Sequence, residues 1–410
     1  MAIAAADALI LRNLAKRLAE KAALPEQAEK IRLWKGFNAL RPERPMVLAF
    51  PEGGWRDLIT EDELHCQGKG ARKIEMSLQQ RLFMAEHIHD DVPATAFWNV
   101  GPALKISDFG MHHTMQRTQD HGAATWDAPI KTPDDVKKLR PRTYEYDRSA
   151  TQRNLEEAEK LFSDILTVRQ RHGIGWPAAL SMSLIFLRGL EQVMIDLYDN
   201  PQMIHEIMAY LRDEEMAKLD WLESQGLLSL NNGPDDYVGS GGLGGTDELP
   251  GKDFDGYVRP MHLWGFGESQ EFVGVSPSQW EEFVLAYQLP ILQRFGLNHY
   301  GCCEPLDRKY DALFARVPRL RRLSISPWCD RALAAQRLGK KYIFSWKPAP
   351  SMICAPHVNW EEVETYIRDT ARFAKGCALE MIMKDTHTFC GDKTRIERWS
   401  LLASRIARGE

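Results

Sequence analysis

The 410 residues carry 52 basic and 57 acidic side chains, a net charge of −5, with 44% hydrophobic and 27% charged residues. That balance suits a folded chain with ample core and gives no electrostatic reason to bind nucleic acid or an anionic membrane. No apolar run reaches the roughly 20 residues of a membrane-crossing helix, and seven scattered cysteines, an odd number, point to a reducing cytoplasm rather than a disulfide framework.

The opening residues lack the basic start and apolar stretch of a signal peptide. Leu11, Leu14 and Leu18, then Ile31, Leu33 and Phe37, recur at helical spacing on either side of Pro25, so residues 1–45 read as a helical extension. Residues 46–50, bounded by Pro45 and Pro51, form a strand, 64–89 a helix and 94–101 a strand. Residues 102–150 read as irregular and hold His112, His113 and His121. A helix over 155–172, a buried strand over 176–183 and two helices parted at Pro201 follow. Strands near 227, 297, 320, 341 and 379 are then each answered by a helix. With those near 46, 94 and 176 the count comes to about eight, which predicts a (β/α)8 TIM barrel over residues 46–410. The run Gly239-Ser240-Gly241-Gly242-Leu243-Gly244-Gly245 opens no helix, so it is expected to be a mobile loop rather than a phosphate cradle.

In such a barrel, active sites lie where strands end. Asn231 and Asp235, His299 to Glu304, Ser326 and Trp328, Lys347, and Lys384, Asp385 and His387 all fall there. Within His299-Tyr300-Gly301-Cys302-Cys303-Glu304, imidazole, thiol and carboxylate are the ligand types that suit zinc. The plainer alternative makes both cysteines small buried hydrophobes. His299, Cys302 and Cys303 are the expected metal ligands, with His387 as the distant one and Cys390 and Cys377 as rivals. Glu268, Glu304 and His299 are the candidate acid/base groups. Trp98, Trp264, Phe266, Tyr300, Trp328 and Trp346 crowd the predicted rim and suggest a pocket for a flat or apolar ligand. Lys347 could balance a carboxylate or phenolate there.

Several stretches resemble the uroporphyrinogen decarboxylase superfamily, which includes zinc-dependent corrinoid methyltransferases. They are Leu187-Arg188-Gly189, Glu191 to Pro201, Val275 to Val284, the strand ending His299 to Glu304, and Lys384 to Ile406. The resemblance implies a barrel with its pocket at the strands' C-terminal ends. It further implies transfer of a methyl group from a small, possibly methoxylated aromatic donor to a corrinoid (cobalamin). No Asp-x-His-x-x-Gly occurs in this chain, so the corrinoid would be carried by a partner protein. On that reading Tyr300, Trp328 and Asn231 face the cofactor, and Trp98, Trp264, Phe266, Trp346 and Lys347 face the substrate. A homodimer is a further expectation. Phe50 to Asp57 lacks the arginine-rich signature of the porphyrinogen decarboxylases, which leaves a decarboxylase, or a non-catalytic tetrapyrrole-binding barrel, as the alternative.

Overall fold

The computed structural model describes residues 3–117 and 124–410; His121 lies outside them. Six strands, β1 (Met46–Ala49), β2 (Trp264–Gly267), β3 (Leu297–Tyr300), β4 (Leu320–Ile325), β5 (Ile343–Trp346) and β6 (Ala378–Met383), form one parallel sheet in the order β1-β6-β5-β4-β3-β2. Every residue of β1, β2, β3, β5 and β6 is buried. A parallel sheet covered on both faces buries its strands in this way, and here Asn298, His299, Ser345 and Glu380 are buried with the apolar residues. The intervening helices bury one stripe each. In Trp360–Phe373 the stripe is Val363, Ile367 and Thr370, at helical spacing, and Asn359 caps the helix by accepting from the Glu362 N–H. No helix among the described residues is long and apolar enough to cross a membrane.

The sheet is open, so the closed eight-stranded barrel is not what the backbone hydrogen bonds form. On the β1 edge, the N–H groups of Val47 and Ala49 donate to the carboxylates of Asp91 (2.8 Å) and Asp90 (3.1 Å). On the β2 edge, the Asn231 side chain accepts from the Trp264 N–H (2.9 Å) and donates to the Trp264 carbonyl (3.0 Å). Side chains thus meet the buried edge groups that a neighbouring strand would otherwise satisfy. Residues 227–232 form no strand, and the Asn231 side chain meets the edge of β2 in its place. At 176–183, Pro177 has no N–H to give, and only Ala178 bridges to Gly267 before the helix Leu180–Arg188 begins. The expected strand near 94 exists as Phe97–Val100, but it pairs with Thr167–Gln170 in a separate parallel pair. The helix expected to reach 172 is Arg148–Phe162. The irregular region holds two antiparallel pairs, Leu104–Ile106 with Tyr144–Tyr146 and Thr114–Arg117 with Ala124–Asp127.

Residues 5–38 form two helices joined to the rest of the fold. Ala5–Ala22 packs on Lys69–His87, and its Asp7 carboxylate accepts from the Gln67 and Gly68 N–H groups, both at 2.9 Å. Trp34 and Phe37 of Pro25–Asn38 share a core with Met46 and Leu48 of β1.

The glycine run is a strap rather than a mobile loop. It crosses one face of the sheet, largely buried, with Gly239 on His299 of β3, Gly242 on Arg322 of β4 and Gly241 on Ile382 of β6. Its carbonyls are taken up. Asn38 Nδ2 donates to Leu243 (3.0 Å) and Gly245 (2.8 Å), and Trp264 Nε1 to Gly244 (3.0 Å). Glycine is needed here because a backbone passing this close to packed side chains leaves no room for a Cβ. Under the strap lies a polar interior: the Arg322–Glu380 ion pair at 3.0 Å, with both side chains 0% exposed, beside Ser324, Ser345 and Lys347.

Candidate functional site

β3 ends at Tyr300, and Gly301 (φ +94°) turns the chain with its α-carbon packed close to Leu306. That turn carries the next side chains out of the strand's alternation. Glu304 then ties two strand ends together, accepting from the Cys302 N–H (2.9 Å) through one oxygen and from the Ser269 N–H (2.9 Å) through the other. The result places Cys302 Sγ 3.6 Å from Cys303 Sγ, with Cys302 buried (3% exposed) and Cys303 at the surface. Ser240 of the strap donates to Cys302 Sγ at 3.4 Å. Lys384, just beyond β6, donates to Ser240 Oγ at 3.3 Å and pairs with Asp385 at 3.3 Å. Cys303 donates to Asp385 Oδ2 at 3.9 Å.

These neighbours decide which sulfur carries charge. The Cys303 hydrogen bond, the Lys384 ammonium and the Ser240 hydroxyl together outweigh burial and hold Cys302 down to about 7. Cys303 moves the opposite way, because it shares its proton with a neighbour that ionises first. Burial works against the Lys384 charge, but Cys302, Asp385 and Glu52 overcome it, and its proton is held above the usual lysine range. Cys302 is therefore the sulfur of the pair that ionises first, close to neutral pH, with the Lys384 ammonium favouring its thiolate and a second thiol in contact.

Behind the thiols lies a buried acid. Glu268 is 0% exposed, and it is pushed up to about 9 by burial and by the nearby Glu271 and Glu304. Its carboxyl is thus protonated at neutral pH. Its one hydrogen-bonded oxygen accepts from the Gln270 N–H at 3.0 Å. Lys309 reaches the same cluster through Ser269 Oγ at 3.2 Å.

A cavity of about 480 Å³ lies between residues 171–176 and 236–239, with Trp264, Phe266 and Asn231 in its walls. Trp176 meets Phe266 edge to face at 5.0 Å. Gly239 forms part of this wall, and the next residue, Ser240, touches Cys302. Cys302 itself is not among the residues lining this cavity.

Several expected residues stand elsewhere. His299 is fully buried, its Nε2 2.9 Å from Ser324 Oγ and its ring covered by Gly239. Burial, then the charges of Lys347 and Arg322, push its pKa well down and keep it neutral. Its position on β3 points it into the sheet interior, whereas Cys302 lies past the glycine turn. His387 is exposed, and Asp385 is the residue that reaches Cys303. Cys390 and Cys377 turn to the backbone carbonyls of Cys354 and Ala335. Among the described residues no three His, Cys, Asp or Glu side chains are arranged to hold a metal.

The aromatic rim divides in the same way. Tyr300 is buried and donates to Gln288 Oε1 (2.7 Å), and Trp346 packs in the core against Tyr366. Neither is free to meet a cofactor or substrate. Lys347 is held by Ser324 (3.0 Å) and Ser345 (2.6 Å), and burial pushes it down to about 7. Trp328 is 74% exposed. Trp98 packs on Phe162 and lines a different cavity, of about 330 Å³, with Arg81, Asp235 and Tyr237. Trp264, Phe266 and Asn231 remain at the cavity beside the strap. Ser240, Gly239 and Trp176 were not marked by the sequence; a lone serine in a glycine run carries no signal until the strap's path is known.

Gly239→Ala tests that path. Its backbone (φ +61°) favours glycine, and an added methyl group would run into the His299 ring. A loss of ~3 kcal/mol is expected from overpacking and left-handed strain together, read as a lowered urea midpoint. An unchanged midpoint would place the strap elsewhere.

No family model matches the chain, and no curated protein matches it. Among solved structures, a methyltransferase from Methanosarcina mazei is similar at 6% sequence identity, covering 72% of this chain and 76% of that chain, with a TM-score of 0.44. A likeness of that size fixes neither substrate nor chemistry, which rest on the residues at the site.

Proposed function

We propose that the protein is a methyl-group transferase in which the Cys302 thiolate meets the methylated substrate. The observation that carries this reading is the geometry around Cys302, whose sulfur accepts from Ser240 at 3.4 Å and lies 3.6 Å from Cys303, an arrangement that with Lys384 holds its pKa down to about 7. Gly239, which precedes Ser240, lines an aromatic-walled cavity. A thiolate is a soft nucleophile, suited to displacement at a methyl carbon. The sulfur–carbon bond forms as the bond from methyl to heteroatom breaks, and the heteroatom leaves with the bonding pair. Trp176, Trp264 and Phe266 suit a flat donor such as a methoxylated aromatic. A corrinoid held by a separate protein is the proposed onward acceptor of the methyl group from Cys302. The architecture is proposed to be a barrel derivative in which the Phe97–Val100 and Thr167–Gln170 pair stands where the missing barrel strands would run.

The test is direct. The protein is incubated with a panel of methoxylated aromatics, and its tryptic peptides are weighed. The peptide Phe295–Arg308 contains Cys302 and Cys303 and no other cysteine. It is expected to gain the mass of one methyl group at Cys302. Methyl turnover with this peptide unmodified at every time point would overturn the assignment. A related expectation concerns pH. Iodoacetamide should label Cys302 with a half-maximal rate near pH 7, because the reactive thiolate is present above its depressed pKa and lost below it. Lys384→Met removes the facing charge, and the midpoint should rise; a midpoint that stays put would remove Lys384 from the site.

A further inference from the structure

We infer that Cys302 and Cys303 close to a reversible vicinal disulfide, which makes the thiol pair a modification site for hydroperoxides. Their sulfurs are already in contact at 3.6 Å, and neither is engaged in a disulfide with another cysteine. Cys303 lies at the surface, so a small oxidant reaches the pair without opening the fold. Cys302 is held from behind, its N–H on Glu304 and its sulfur on Ser240, which keeps it facing its neighbour. The remaining cysteines are placed less well. Cys66 and Cys329 are buried, Cys354 is half-buried with no cysteine next to it in the chain, and Cys377 and Cys390 turn to backbone carbonyls.

The chemistry closes without a further reagent. One sulfur attacks the peroxide O–O bond and becomes a sulfenic acid, while water or an alcohol leaves. The second thiol attacks that sulfur; the S–S bond forms, and the hydroxyl departs as water with the second thiol's proton. Two electrons pass from the sulfur pair to the peroxide. The intervening peptide bond forces the new ring to be small and strained, and strained disulfides are the readily reduced ones. The bond therefore opens again under cellular thiols. Its consequence, loss of the thiolate and so of methyl transfer, rests on the function proposed above; the bond itself does not.

The test uses the full chain, treated with hydrogen peroxide, blocked with iodoacetamide and digested with trypsin. The Phe295–Arg308 peptide is expected to lose the mass of two hydrogens, to escape alkylation, and to regain both thiols with glutathione. Cys390→Ser should leave this signature intact, whereas Cys302→Ser and Cys303→Ser should each remove it. Recovery of the peptide doubly alkylated after the peroxide is consumed, irreversibly over-oxidised, or cross-linked to another cysteine peptide would overturn the inference. Because the readout is a mass and not a rate, a missing methyl adduct on Cys302 sinks the functional reading alone. A missing disulfide sinks this one alone.

Discussion

Cys302→Ala is expected to lower methyl transfer by ~10³-fold or more, the scale on which loss of a covalent nucleophile acts. The fold should survive, since the side chain is small and its removal costs roughly 1 kcal/mol. Cys303→Ala should behave differently. It keeps the nucleophile but removes the hydrogen bond that does most to hold Cys302 low. The Cys302 pKa then climbs back towards the ordinary thiol range. At neutral pH turnover falls with the thiolate fraction, and at alkaline pH it returns. Rate against pH separates the two roles: a low rate at all pH values for Cys302→Ala, an alkaline displacement for Cys303→Ala. Full turnover by Cys302→Ala would leave the proposed chemistry without its nucleophile. Identical profiles for the two variants would mean that the sulfurs act only as packing.

β3 to β6 were legible in the sequence because each is a short run bounded by loop residues and answered by a helix, even though Asn298, His299, Arg322, Ser345 and Glu380 interrupt their apolar character. The same rule misled at 227–230. Leu227 and Leu228 are buried there, but the hydrogen bonds to the edge of β2 are supplied by the Asn231 amide, and no propensity reports that. The site was legible by residue type: two thiols, Glu304, Lys384 and Asp385 were all marked by their place at strand ends. Their partners were not. His299 is three residues from Cys302 and looks like a companion, yet the strand sends its ring inward and Gly301 sends the thiol elsewhere. Glu268 was marked as a candidate acid/base group, but its complete burial could not be read, because Gln288 and Trp280, which bond the Glu268 carbonyl and Ser269, come from a later helix. The strap was the largest omission. A glycine run signals permissiveness, and whether that freedom is spent on motion or on close approach is decided by what it lies against.

Glu380→Leu is expected to be among the most damaging single changes, with a loss of about 3–5 kcal/mol. Glu380 is the carboxylate paired with Arg322, and both are sealed from solvent. Without it the guanidinium keeps only neutral partners, Asn38 Oδ1 (2.7 Å) and the Leu243 carbonyl (3.0 Å), and the face of Trp264 at 5.0 Å. Lys347 also loses a charge that favours its protonated form. Arg322→Leu strands the opposite charge and, in addition, removes the side chain on which Gly242 rests. Either single change is worse than both together, since two leucines carry no charge to bury. A double-mutant cycle by urea unfolding should show the pair recovering much of the sum of the singles; simple additivity would mean that the two residues do not sense each other. The consequence reaches the thiols. The strap that Arg322 supports also presents Ser240 to Cys302, so Arg322→Leu should raise the pH at which iodoacetamide labels Cys302, although Arg322 touches neither sulfur.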